Sequence, residues 1–127
     1  MHEQDLAIVK ALVPVAWADG IFAKREQDML DALMEAYQAT ETEKGELRRY
    51  AETKRSLDDI ELQDLSRDDR RVLLQHAVLL TFVDGDQSAH EVAFLGRLGA
   101  RLRLEDQEAK ELIAAGTERA KKLLSLL

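Results

Sequence analysis

The chain has 127 residues, of which 46% are apolar and 34% are charged, and this is enough for one domain with a single apolar core. Its formal charge of −7 repels a phosphate backbone, and no stripe of Lys and Arg with interleaved aromatic residues offsets it. The absence of cysteine excludes disulfides, a thiol nucleophile and a Cys-based zinc site. We therefore expect a cytoplasmic protein that binds no nucleic acid. The start MHEQD lacks the features of a secretory signal, and no apolar run approaches the roughly 18 to 20 residues of a membrane span.

The first half of the chain predicts two helices and a linker helix. Apolar side chains recur at helical spacing over residues 5–18, and Pro14 inside this helix is expected to bend it. Gly20 marks a helix stop, and a second amphipathic helix follows it. The next segment is dense in charges of both signs, which favours a solvent-exposed linker helix at about 42–55.

The second half begins with a connector whose apolar residues are expected to pin it to the core. These residues are Leu57, Ile60, Leu62 and Leu65. Ser66 then has the position of an N-cap, with Asp69 three residues later in a capping-box arrangement. A C-terminal helix at about 105–126 closes the predicted elements, and we expect it to bury Ile113, Ala120 and Leu124.

Two stretches of the sequence share one pattern at an offset of sixty-five residues. They are WADGIFAKRE, at 17–26, and FVDGDQSAHE, at 82–91. Each contains an aromatic residue, one further residue, Asp-Gly, five arbitrary residues and Glu. Apolar positions of the flanking helices coincide at the same offset, for example Val13 with Val78. This coincidence predicts an internal repeat.

These patterns together predict an all-α fold. We expect a single-domain helical bundle of about six to eight helices with an internal pseudo-two-fold repeat of Asp-Gly helical hairpins. The repeat halves are approximately 1–40 and 66–104, joined by the linker helix and closed by the C-terminal helix.

The paired stretches resemble the TerB family of tellurite-resistance-associated proteins, whose fold is similar to the N-terminal domain of DjlA-type co-chaperones. The likeness rests on a buried helix ending in Asp-Gly and a following helix with Glu in its first turn, both occurring twice. It implies a cytoplasmic module, in some cases peripheral to the inner membrane, that acts in metal or oxyanion stress. It also implies an acidic surface that binds protein partners or divalent ions, and no enzymatic activity. Ala23 and Pro14 depart from the pattern.

The spacing Asp-Gly-x5-Glu also occurs in the second half of an EF-hand calcium loop. In that loop the first and third positions supply oxygen ligands. Here those positions are Val15 and Trp17 in the first stretch and Leu80 and Phe82 in the second, and these side chains cannot bind Ca²⁺. Neither stretch is therefore a calcium loop of this kind.

A different divalent-metal site is a second hypothesis, and its candidate ligands are the carboxylates of the two turns. Asp84, Asp86 and Glu91 supply most of the oxygen donors, with Asp19 and Glu26 from the other stretch. The alternative interpretation is structural, because Asp, Gly and Glu at these positions suit a tight corner that caps two helices at once. The sequence leaves both interpretations open.

Catalysis is the least supported class. Ser66 and Ser88 have the positions of helix caps, and His76 lies in an apolar helix, where a hydrogen-bonded histidine is commoner than a ligand. We therefore expect a non-enzymatic interaction or scaffold module with an acidic surface, or else a divalent-metal sensor or buffer. The sequence names neither the partner nor the oligomeric state.

Overall fold

The computed structural model describes residues 3–17, 24–82 and 89–125, and these residues form six α-helices. The helices are α1 Glu3–Ala16, α2 Lys24–Ala36, α3 Glu41–Ala51, α4 Arg67–Thr81, α5 Ala89–Arg101 and α6 Asp106–Ser125. Two short 3-10 helices, Leu57–Asp59 and Leu62–Asp64, lie in the connector between α3 and α4. The described residues contain no strand, so the all-α prediction is confirmed. None of their helices has the length and apolar character needed to cross a membrane.

The centre of the bundle is the pair α1 and α4. Helix α4 packs against α1, α5 and α6, and α1 packs in addition against α2 and α3. Within α4, Leu73, Leu74, Ala77 and Val78 are completely buried. Pro14, inside α1, is buried as well. Both helices are thus enclosed by the others, which explains why their apolar residues are not confined to one narrow stripe.

Helix α6 lies against α4 and α5 through small side chains. It buries Ala109, Leu112, Gly116 and Ala120, whereas the predicted core residue Ile113 is only half-buried. A Cβ atom placed at Gly116 would lie 3.1 Å from Cβ of Val78. The close approach of the two helices therefore requires a residue without a side chain at this crossing.

Helices α2 and α5 end in the same way. Gln38 and Arg103 have φ angles of 60° and 58°, in the left-handed region that glycine usually fills. The N–H groups of Gln38 and Ala39 donate to the carbonyls of Glu35 and Met34, at 3.0 Å and 2.9 Å. The same two bonds recur after α5, from Arg103 to Ala100 and from Leu104 to Gly99. Both ends are Schellman motifs without glycine.

Two arginines hold the connector against the bundle through its backbone carbonyls. Arg101 of α5 donates to Leu57, Asp58 and Ile60, and Arg70 of α4 donates to Leu62, Leu65 and Leu102. Ile60 and Leu65 are buried, and Leu57 and Leu62 are half-buried against the core. The predicted apolar pinning of the connector is thus confirmed, and the guanidinium contacts add to it.

The helix starts follow the offset of the predicted repeat. Lys24 and Ala89 begin α2 and α5, and Glu41 and Asp106 begin α3 and α6, each pair sixty-five positions apart. The two Schellman motifs keep the same offset. These bounds support a repeat that includes a third helix in each half. The pseudo-two-fold relation of the halves stays a prediction.

The starts of α3 and α4 have side-chain caps. Ser66 accepts a hydrogen bond from the N–H of Asp69, whose carboxylate accepts one from the N–H of Ser66. The capping box predicted for α4 is therefore confirmed. Thr40 and Glu43 form the same arrangement at the start of α3. The linker helix therefore begins at Glu41, directly after this cap. It ends at Ala51, before the predicted end near residue 55.

Replacement of Gly116 by alanine is expected to destabilise the fold by about 1 kcal/mol. The added methyl group would overpack the completely buried Val78, at a cost of roughly 1 to 3 kcal/mol, and higher helix propensity would return about 1 kcal/mol. Urea unfolding of the variant and the wild type measures the difference in the free energy of unfolding.

Gly96 is the matched control, because it lies inside α5 and a Cβ there would meet no atom within 4 Å apart from its chain neighbours and the backbone of its own helix. Gly96→Ala should stabilise the fold by roughly 0.5 to 1 kcal/mol through helix propensity alone. Equal stabilisation by Gly116→Ala would contradict the close helix crossing.

Candidate functional site

The described helices that flank the two Asp-Gly stretches come together around a small cavity. The ends of α1 and α4 and the starts of α2 and α5 form its walls. Its lining residues are Val15, Ala16, Glu26, Leu80, Thr81, Glu91 and Phe94. A volume of about 10 Å³ gives it room for about one water molecule. We call this space the central cavity.

Among the described residues, two carboxylates line the central cavity, one from each repeated stretch. Glu26 lies in the first turn of α2 and is only 9% exposed, and Glu91 lies in the first turn of α5 and is half-buried. A helix start is electrostatically favourable for a carboxylate, because the unpaired N–H groups carry partial positive charge. The fold thus brings together two acidic residues that are sixty-five positions apart in the sequence.

The other predicted ligands, Asp19, Asp84 and Asp86, lie outside the described residues. Within the described ranges, no group of three or more His, Asp or Glu side chains is arranged to hold a metal ion. The described part of the candidate metal site is therefore the pair Glu26 and Glu91.

The aromatic residues that begin the two stretches have different surroundings. Phe82 is 8% exposed and belongs to the core. Trp17 is half-buried, and its indole N–H donates to the carbonyl oxygen of Ala51 at 3.0 Å. Trp17 therefore ties the end of α1 to the end of α3, a contact that sequence spacing does not predict.

An open groove lies between the start of α1 and the connector. Its volume is about 700 Å³, and its lining residues are Glu3, Gln4, Leu6, Ala7, Lys10, Gln63 and Asp64. A smaller adjoining cavity, which shares Ala7, Lys10 and Asp64, adds Asp59 and Glu61. We call the two together the acidic groove, since four exposed carboxylates face one ammonium group in it.

The ammonium group of the acidic groove lies over an aromatic ring. The Nζ atom of Lys10 lies 4.8 Å from the ring centroid of Tyr50, which is a cation–π distance. On the connector, Asp59 accepts a hydrogen bond from the N–H of Ser56 at 2.8 Å, and Glu61 accepts one from Gln63 at 3.0 Å. These two carboxylates therefore have defined positions beside the groove.

His76 is hydrogen-bonded, as its place in an apolar helix suggests. The Tyr37 hydroxyl group lies 3.0 Å from Nε2 of His76, and the two rings meet edge to face. Burial lowers the pKa of His76 below its ordinary value of 6.5. Burial, with smaller contributions from Asp5 and Asp69, raises the pKa of Tyr37, so the phenol stays protonated and can donate to neutral His76. This contact joins α2 to α4.

Comparison with known proteins finds no matching family model, no matching curated protein and no matching solved structure.

The half-buried His76 predicts that the fold loses stability in mild acid. Because the pKa of His76 is lower in the folded chain, the unfolded chain takes up this proton at a higher pH. The free energy of unfolding should therefore fall as the pH drops below about 6.5, and His76→Gln should remove that part of the fall. Denaturant unfolding at a series of pH values measures it.

Tyr37→Phe provides the control, since it deletes the hydroxyl group and retains the imidazole. It should lower the free energy of unfolding by about 1 kcal/mol at every pH while most of the pH dependence remains. If His76→Gln follows the wild type through the whole acid range, the role assigned to His76 is wrong.

Proposed function

We propose that this chain is a non-enzymatic interaction or scaffold module of TerB type that recruits a protein partner through an acidic surface. The proposal links it to tellurite stress or to general metal and oxyanion stress, in the cytoplasm or at the periphery of the inner membrane. Its support is the pair of Asp-Gly-x5-Glu stretches, the all-helical fold and the net charge of −7.

The observation that carries the proposal is the acidic groove. Four carboxylates surround it, and Leu6 and Ala7 are half-buried in its lining, so it combines negative charge with some apolar surface. Concave surfaces with a few oriented polar groups are typical binding sites. Its charge fits a Lys- or Arg-containing segment of a partner.

Exposed carboxylates are suited to selection and capture of a basic partner. They remain hydrated in the free protein, so their charge costs little to maintain, and complementary charge raises the association rate more than the affinity. Binding through this groove should therefore weaken as salt screens the charges.

Asp64→Lys is expected to abolish capture of the partner, because it reverses a charge shared by both parts of the acidic groove. Affinity purification from the native cell, with quantitative mass spectrometry at low and high salt, measures the capture. The wild-type partner should be retained at low salt, lost at high salt and absent with Asp64→Lys.

Glu118→Lys is the matched control, an equal charge reversal at an exposed position of α6. It should leave the capture unchanged. A partner set that is the same for Asp64→Lys and the wild type, or that matches empty beads, would refute the acidic groove as the recruiting surface.

A divalent-metal sensor or buffer is the second candidate, and the central cavity favours it. Glu26 and Glu91 both line that cavity, although they come from different repeated stretches. Oxygen donors of this kind suit Ca²⁺ or Mg²⁺, but Ca²⁺ takes about six to eight of them. Two carboxylates supply at most four oxygens, so the proposed site also needs Asp19, Asp84 or Asp86 and water.

Calorimetric titration with Ca²⁺, Mg²⁺, Mn²⁺ and Zn²⁺ tests this candidate. If the site binds metal, Glu91→Gln should weaken the binding by about tenfold or more, because an amide keeps the shape of the side chain and removes its charge. Glu118→Gln should have no effect, since Glu118 is exposed and does not line the central cavity. Absence of heat at millimolar metal would end the metal hypothesis.

A further inference from the structure

Another concave surface lies beside the C-terminal end of α1, and it differs from the acidic groove in charge and in composition. Its volume is about 380 Å³, and its lining residues are Pro14, Trp17, Lys54, Arg55, Ser56, Leu57, Asp58, Phe94 and Arg97. They come from α1, the connector and α5. We call this surface the cationic pocket, because three of its described lining side chains are positively charged and one is negative.

The three cations form no ion pair with a carboxylate in the part of the chain that the structure describes. The Arg55 guanidinium group lies 3.8 Å from the ring centroid of Tyr50, and its Nε donates to the Tyr50 carbonyl. That of Arg97 lies 5.7 Å from the ring centroid of Phe94. Aromatic faces thus orient two of the cations without neutralising them.

The sequence has 25 acidic and 18 basic residues, so a cation on the surface has many carboxylates with which to pair. Lys44, Arg48 and Arg67 each have such a partner. The charge of the cationic pocket is instead left available to a ligand.

Most of the remaining lining is apolar. Pro14, Trp17, Leu57 and Phe94 come together beside the three cations. The hydrogen bond from the Trp17 indole to Ala51 fixes the position of its ring. A fixed aromatic ring with other apolar groups can accept a bulky side chain at little entropic cost.

We propose that the cationic pocket binds an acidic peptide segment of a partner protein, which inserts one bulky apolar side chain between the cations. Carboxylates of the segment pair with Lys54, Arg55 and Arg97, and the inserted side chain packs on Trp17 and Leu57. The concave shape favours a peptide over a membrane, because proteins meet a bilayer through protruding apolar side chains. The pocket differs in place and in charge preference from the acidic groove.

Trp17 makes the proposal directly measurable, since it is the single tryptophan of the chain and lines the pocket. The probe is a short capped peptide with a central Leu flanked by Asp and Glu, free of Trp and Tyr. Its addition should shift Trp17 emission in a saturable way. Two comparison peptides replace either the central Leu by Gly or the acidic residues by Lys, and both should bind at least about tenfold more weakly.

Arg97→Glu tests how much the positive charge of the cationic pocket contributes to peptide binding. Its side chain is exposed, so the reversal should leave the fold intact, as checked by circular dichroism. It should weaken binding of the acidic peptide about tenfold, which corresponds to about 1.4 kcal/mol. Lys110→Glu, the same reversal at an exposed position of α6, should leave the affinity unchanged.

Three outcomes would overturn the proposal. The first is no saturable emission change with the acidic peptide up to about 1 mM, a concentration that detects even weak binding. The second is equal weakening by Arg97→Glu and Lys110→Glu, which would indicate a general charge effect. The third is a response only to vesicles of phosphatidylserine and phosphatidylcholine, which would assign the pocket to a membrane surface. Selective loss of peptide binding in Arg97→Glu supports it.

Discussion

Helix α4 packs against α1, α5 and α6, and the rest of the structure depends on the burial of its side chains. Leu73, Leu74 and Val78 are completely buried, and α6 comes close enough that Gly116 contacts Val78 without a side chain of its own. Such close packing leaves little freedom to shift the helices. The ends of α1 and α4 are consequently held side by side, and the central cavity forms where the following helices begin.

Although the chain has a net charge of −7, it presents one surface rich in carboxylates and another rich in cations. The connector between α3 and α4 contributes to both: Asp59, Glu61 and Asp64 to the acidic groove, and Lys54 and Arg55 to the cationic pocket. Arginines of α4 and α5 hold this connector by its carbonyl groups, so its charged side chains remain free to face solvent. These contacts hold the connector in place although it has few apolar residues, and they leave its own charged side chains unneutralised.

Much of the helical architecture follows from local patterns that the sequence displays. The helical spacing of apolar residues, the cap at Ser66 and the apolar residues of the connector all predicted what the structure contains. Other local features were missed for identifiable reasons. Gln38 and Arg103 end their helices in a conformation for which glycine is the usual signal. In α6, Ile113 packs half-buried against the core, but the close helix crossing at Gly116 had no signal in the hydrophobic pattern.

By itself the sequence determined the all-α class, the paired Asp-Gly stretches and the candidacy of Glu26 and Glu91, because helix periodicity and motif spacing are properties of neighbouring residues. Only the tertiary structure decided that these two carboxylates line one cavity. It alone also placed Trp17 beside Arg97 in one pocket. Such contacts join residues far apart in the chain, and their distances depend on how whole helices pack rather than on any local preference.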